Sequence, residues 1–299
     1  MLLTYCMNMV VFTVVRIISY MIKMNNNLID IVIVQIKIGL DHYKNLHYLI
    51  KTLNTIKSKR TTIVILHELS YLNYFPITKT RSSHLAISVN SKIIDKFKTV
   101  CKSKGFYLLL PFYEKSQLKY YNTVIMISPD GSIIGKYRKT DLPNEHCYRE
   151  KFHFDQSETG VKIFKMNGFK IGAMICWDQW HSKNYIKLSE KNVDLILCPT
   201  SIGYASHNDY SFTLENEKKK WINVITSNSL MINTPIVIAN RIGVEKENKT
   251  KIRFWGSSFI TNADGDIVHA LKNAEIVSSF TLNLDERKQA IKRWNFAKK

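Results

Sequence analysis

Apolar runs of strand length alternate with helix-period stretches along most of this sequence, and that alternation admits few folds. Ile29-Asp30-Ile31-Val32-Ile33-Val34-Gln35-Ile36, residues 61–66 and residues 106–111 read as buried strands from their length and apolar, largely β-branched content. Between them, Leu46, Leu49, Ile50, Leu53 and Ile56 fall at helical spacing, and a second helix over 93–101 has Gly105 as its stop. The pattern then changes to hairpins, with turns at Pro129-Asp130-Gly131, Asn167-Gly168 and Asp264-Gly265. Helices are expected over 182–191, 214–232 and from Asp285, and strands over 193–198, 236–239 and 277–282. This order predicts an α/β fold: two sheets packed face to face, with helices on both outer sides. The chain of 299 residues shows no repeat, low-complexity tract or linker, so one domain over 25–299 is the expectation.

Five cysteines, at 6, 101, 147, 176 and 198, match neither zinc-ligand spacing nor a disulfide framework. They read as reduced thiols and point to a cytoplasmic setting, with no metal. The formal charge of +19 raises nucleic acid as a partner. The lysines are scattered, however, and the densest runs, Lys57-Ser58-Lys59-Arg60 and Lys218-Lys219-Lys220, read as solvated faces, so no nucleic-acid partner is expected. Residues 1–24 are mostly apolar but lack the layout of a signal peptide. A membrane helix of ~20 residues fits on length alone. The reading adopted is an upstream extension with Met24 as a second start, and no membrane partner unless this segment anchors.

Three residues at strand ends carry the chemistry. Cys176 follows the apolar run 169–175, Glu68 ends Ile63-Val64-Ile65-Leu66-His67-Glu68, and Lys139 closes Gly135-Lys136-Tyr137-Arg138-Lys139. A thiol attacks as its thiolate, which a nearby ammonium favours. A carboxylate beside both takes the thiol proton and later activates water. The lysine, with the backbone N–H of Trp177, faces the oxyanion formed when a carbonyl is attacked. Glu68 is therefore the expected base, Cys176 the nucleophile, and Lys139 with the Trp177 amide the oxyanion donors.

Ile175-Cys176-Trp177-Asp178-Gln179-Trp180, Tyr137-Arg138-Lys139-Thr140-Asp141-Leu142-Pro143 and Glu68-Leu69 with Tyr74-Phe75 together resemble the nitrilase (carbon–nitrogen hydrolase) superfamily, and within it the N-carbamoylputrescine amidases. Cys198-Pro199-Thr200-Ser201-Ile202-Gly203, Ala239-Asn240-Arg241-Ile242-Gly243 and Gly256-Ser257-Ser258-Phe259-Ile260 extend the likeness, which runs from about Ile31 to Trp294.

The resemblance implies a four-layer α-β-β-α sandwich and a second, assisting glutamate, which Glu150 matches. It implies hydrolysis of N-carbamoylputrescine to putrescine, carbon dioxide and ammonia, a step in polyamine biosynthesis. Another small amide or ureido compound is the alternative substrate. No cofactor is implied; a homodimer or larger homo-oligomer is. Trp177-Asp178-Gln179 contains no cation to meet a substrate carboxylate, which suits a substrate ending in an ammonium. Trp177 and Tyr74 are expected to line the substrate site, and Asp178, Glu145 and Asp209 are candidates to hold the distal amine. The family's Phe-Pro-Glu after the second tryptophan is replaced by His181-Ser182-Lys183, with Ser182 the expected helix cap.

Overall fold

The computed structural model describes residues 27–205, 214–294 and 296; the apolar segment 1–24 and Asp209 lie outside them. Two six-stranded sheets form the middle of the molecule. The first contains β1 (Leu28–Gln35), β2 (Thr62–Leu66), β3 (Tyr107–Ser116), β4 (Lys119–Ile127), β5 (Ile133–Arg138) and β15 (Ile276–Asn283), in the order β15-β1-β2-β3-β4-β5. The second contains β6 (Ile163–Met166), β7 (Phe169–Ala173), β8 (Leu195–Thr200), β10 (Ile236–Asn240), β13 (Phe259–Thr261) and β14 (Ile267–Ala270), in the order β14-β13-β10-β8-β7-β6. The central strands β1, β2 and β3 are parallel in one sheet, as are β7, β8 and β10 in the other.

Strand alternation sorts each apolar run between two cores. Ile29, Ile31 and Ile33 of β1, Ile63 and Ile65 of β2, Leu195 and Leu197 of β8, and Val237 and Ala239 of β10 meet between the sheets. The residues between them point outward. Val32, Val34, Val64 and Leu66 pack with Leu46, Leu49 and Leu53 of α1 (His42–Thr55) and with Ile94, Phe97 and Val100 of α2 (Lys92–Lys104). Ile196, Ile236 and Ile238 pack with Tyr185 and Leu188 of α4 (Ser182–Glu190) and with Trp221 and Ile225 of α5 (Leu214–Ile232). The result is the four-layer α-β-β-α sandwich. A one-turn helix, α3 (Glu150–His153), and a C-terminal helix, α6 (Asp285–Arg293), complete the α-helices among the described residues.

Local chemistry accounts for the element ends. Asp41 accepts the Tyr43 and Lys44 N–H groups at the start of α1. Gly105 ends α2 at φ 72°. Asn167 and Gly168, at φ 47° and 84°, make the β6–β7 hairpin turn, a pairing that suits a two-residue loop. The cap expected at Ser182 is corrected: α4 begins at Ser182 with His181 as its cap residue, and no side chain caps the end. Lys183 and Asn184 of that first turn instead bind Asp141 at 2.6 and 2.9 Å.

One feature went unforeseen, a three-stranded sheet of β9 (Gly203–Ala205), β11 (Ile242–Glu247) and β12 (Thr250–Trp255), ordered β11-β12-β9. β12 does alternate, with Lys251 and Arg253 exposed against buried Ile252 and Phe254, but β11 inverts the rule, with Glu245 buried and Val244 exposed, and β9 is only three residues long. Gly203 is required where β9 meets β12, since a Cβ there would lie 2.2 Å from the Arg253 carbonyl oxygen. No helix among the described residues is long and apolar enough to cross a membrane.

The inter-sheet core sets the stability. Leu197→Ala, at a fully enclosed site, is expected to lower unfolding free energy by about 2–5 kcal/mol. Leu118→Ala, at a residue 94% exposed, is expected to change it by less than about 0.5 kcal/mol. Urea unfolding followed by circular dichroism reads both.

Candidate active site

Both sheets turn the carboxyl ends of their parallel strands to the same region, and the chemistry-bearing side chains leave from there. Glu68 follows β2, Lys139 follows β5, Cys176 follows β7, Ser201 follows β8 and Arg241 follows β10. Open α/β sheets commonly place ligands at such an end.

Lys139 is the hub. Its side chain is fully enclosed, and its ammonium donates to Glu68 Oε1 at 2.8 Å and to Glu150 Oε1 and Oε2 at 2.9 and 2.7 Å. Burial disfavours the charge, but Glu150 and Glu68 outweigh it and hold the lysine well above its ordinary pKa. Glu150, the first residue of α3, also accepts the Tyr74 hydroxyl at 2.6 Å. Its burial raises its pKa to about 7 against the opposing pull of Lys139.

Glu68 is held from one side only. Oε1 accepts Lys139 and, at 2.7 Å, the Asn122 side-chain amide. Oε2 is buried with no hydrogen-bond partner. Asn122 also ties the two sequence segments together, since its carbonyl accepts the Lys139 backbone N–H at 2.9 Å.

Cys176 is enclosed in the same cluster, where Glu68, Lys139 and Glu150 all act on it electrostatically. Its φ of 44° marks a sharp turn from β7 into the short 3₁₀ segment Cys176–Trp180, a conformation that costs a non-glycine residue about 1–3 kcal/mol. Desolvation and then the Glu68 charge push the thiol well above its ordinary pKa; Lys139 and the Ser201 amide pull the other way and do not prevail. The ammonium favours the thiolate, as expected, but burial and the Glu68 charge outweigh it. At rest the sulfur carries its proton, with a carboxylate nearby to take it.

Asp178 is a second correction. Expected to bind the far end of a substrate, it is fully buried and spends its carboxylate internally. It accepts the Ile175 and Asp141 backbone N–H groups at 2.8 and 2.9 Å, the Tyr137 hydroxyl at 2.7 Å and the Thr140 hydroxyl at 3.2 Å. It thus ties the turn that carries Cys176 to the loop that carries Lys139. Tyr74 is likewise enclosed, with its hydroxyl committed to Glu150. Trp177 is half-buried, its ring centroid 6.2 Å from Trp180 and 6.4 Å from His181. Glu145 is exposed; its backbone pairs with Tyr148, and its side chain stands outside the buried cluster.

Asn122, Tyr148, Ser201, Arg241 and Glu245 escaped the sequence reading as site residues. Tyr148 packs edge-on against Tyr74 and exchanges hydrogen bonds with the Gly203 backbone at 3.1 and 3.2 Å. Ser201 and Arg241 lie within segments already singled out by resemblance, and Tyr148 stands two residues before Glu150; Asn122 and Glu245 carry no such signal.

A thiol, a half-satisfied carboxylate and a buried ammonium in one enclosure are equipped to form and resolve a covalent adduct at a carbonyl-type carbon. The carbon–nitrogen hydrolase family model matches residues 31–292. A citrullinase from Francisella tularensis is 28% identical over 89% of this chain and 93% of its own length. An N-carbamoylputrescine amidase from Solanum tuberosum is 30% identical over 75% of this chain and 77% of its own. A carbon–nitrogen hydrolase crystal structure from Helicobacter pylori G27 superposes with a TM-score of 0.84 at 23% identity, covering 90% of this chain and 94% of that one. Geometry and matches together assign the chain to the carbon–nitrogen hydrolases of the nitrilase superfamily.

Proposed function

We propose that the chain hydrolyses the terminal ureido group of a carbamoylated aliphatic amine, with N-carbamoylputrescine as substrate. The observation that carries the reading is Glu68: one oxygen is locked by Lys139 and Asn122, and the other is buried without a partner beside a protonated thiol. That is the arrangement a general base needs.

In this mechanism Glu68 Oε2 takes the Cys176 proton as the sulfur attacks the ureido carbon. The developing oxyanion is met by the Lys139 ammonium and the Trp177 backbone N–H. One C–N bond breaks, and the departing nitrogen takes its proton from Glu68. Water, deprotonated by Glu68, then attacks the carbamoyl thioester and frees the thiol. The remaining carbamate yields carbon dioxide and the second amine. One water is consumed per ureido group, giving the diamine, carbon dioxide and ammonia. Glu150 keeps the lysine charged and in place.

Citrulline is the second reading, favoured by the citrullinase match over 89% of this chain. The two molecules share a ureido group, a short methylene chain and an ammonium; citrulline adds one carboxylate. With Asp178 withdrawn, Glu145, exposed outside the buried cluster, is the candidate among the described residues that remains to attract a distal ammonium. A substrate carboxylate next to it would be repelled. Assembly into a homodimer or larger oligomer belongs to the same reading, and light scattering reads it.

Ammonia release from N-carbamoylputrescine is expected to exceed that from citrulline, glutamine and ureidopropionate at equal concentration. A higher kcat/KM for citrulline would move the assignment to the second reading. Cys176→Ala is expected to lower kcat by at least ~10⁴-fold and Glu68→Gln by roughly 10²–10⁴-fold, each without loss of the folded state.

The pH profile tests Glu150. Its pKa is raised to about 7 by burial, so it is charged above that value and neutral below. As pH falls through 7, Lys139 loses one of its two negative partners. Activity is expected to fall on that acid side, and Glu150→Gln is expected to remove this limb while lowering the plateau.

A further inference from the structure

Arg241 is among the largest fully buried side chains, and it stands behind the reacting groups rather than among them. It occupies the junction of β10 and β11. Its Nη2 donates to the carbonyl oxygens of Glu68 and Leu72, both at 2.9 Å. Its Nε donates to the Ser201 hydroxyl at 3.2 Å. Its Nη1 pairs with Glu245 Oε1 at 2.6 Å, and the other oxygen of Glu245 accepts the Tyr74 backbone N–H at 2.5 Å. One ion pair therefore grips both ends of the segment from Glu68 to Tyr74.

That segment needs holding. Leu69 and Ser70 sit at φ 57° and 37°, where non-glycine backbone persists only if its surroundings over-determine it. The other contacts lead to the reacting groups. The Ser201 hydroxyl, gripped by Arg241, also reaches the Glu68 carbonyl at 3.4 Å, and the Ser201 backbone N–H lies within reach of the Cys176 sulfur. Tyr74, whose backbone is held by Glu245, places its hydroxyl on Glu150.

We propose that Arg241, braced by Glu245, is a positioning residue for the hydrolysis: its guanidinium fork sets the Glu68 carboxylate and the Ser201 amide against the Cys176 sulfur. The proposal rests on the reading of Cys176 and Glu68 as the reacting groups. A planar fork with donors in three directions is required, and a lysine ammonium at the end of a flexible stem does not supply it.

The test uses Arg241→Lys and the double variant Arg241→Met with Glu245→Met. The first keeps the charge opposite Glu245 and loses the fork. The second removes both charges, so no ion is left buried alone. Urea unfolding identifies which variants are folded. Ammonia release gives kcat and KM, and peptide mass spectrometry follows iodoacetamide alkylation of Cys176 as a function of pH, without any substrate.

In folded variants kcat is expected to fall about ten- to hundred-fold, with KM changed less than about threefold. The alkylation profile of Cys176 is expected to move to lower pH, since the Glu68 charge raises the thiol more than the Ser201 amide lowers it. A folded Arg241→Lys enzyme with wild-type kcat and alkylation profile overturns the proposal. So does a double variant that recovers wild-type kcat, since the loss would then come from an unpaired charge. If Arg241→Lys does not fold, the double variant alone decides. A wild-type protein that alkylates at Cys176 but releases no ammonia from any ureide or amide refutes the hydrolase reading, and the alkylation profiles still judge the clamp.

Discussion

The buried ammonium of Lys139 is the interaction on which the rest of the site depends. Enclosing a lone ammonium costs several kcal/mol, and pairing recovers that cost only when geometry is good and the remaining donors are satisfied. Glu68 and Glu150 meet that condition with contacts of 2.7–2.9 Å. The same contacts dictate which atoms are left over. Glu68 is bound through Oε1, and so Oε2 stays buried and uncommitted in the enclosure that holds the thiol. Burial first, and then the excess of carboxylate over ammonium charge in the enclosure, push the resting thiol above its ordinary pKa.

The fold supplies the convergence by making several strands end together. A strand and its neighbour in register deliver their next residues to the same edge, so a reacting group needs only to follow the last ladder pair. Lys139 illustrates how sharply this sorts side chains. Its neighbour Arg138 points to the opposite face and forms a bidentate pair with Glu114 at 2.7 and 2.9 Å. Lys139 turns into the enclosure. Two adjacent basic residues thus acquire unrelated roles from strand alternation alone.

Around this cluster the support is carried by buried groups whose hydrogen bonds go to protein atoms. Asp178 locks the turn at Cys176, Asn122 links the Glu68 and Lys139 segments, and Arg241 with Glu245 ties the chain after Glu68 to the second sheet. The positive φ angles at Leu69, Ser70 and Cys176 lie within reach of these braces. Backbone strain and polar bracing occur together because the first needs the second.

Much of this was legible in order along the chain. The runs at 29–36 and 61–66 announced strands through β-branched content and length and the run 169–175 through its apolar content, while Gly105 announced the end of α2 and Asn167-Gly168 a turn. Glu68, Lys139 and Cys176 were legible as strand-end residues of the right chemical types. The sheet of β9, β11 and β12 was not, because β9 is three residues long and β11 buries Glu245 while exposing Val244, against the usual pattern. The role of Asp178 was misread for a different reason: a carboxylate beside a nucleophile looks the same in sequence whether it faces a ligand or the backbone behind it. What the sequence by itself determined was most elements of the two large sheets and the chemical types of the groups at their strand ends, since hydrophobic period and side-chain chemistry are local properties. Only the tertiary structure decided which oxygen of Glu68 is free, whether the thiol is ionised and what Asp178 and Arg241 hold, because each depends on burial and on partners from distant segments.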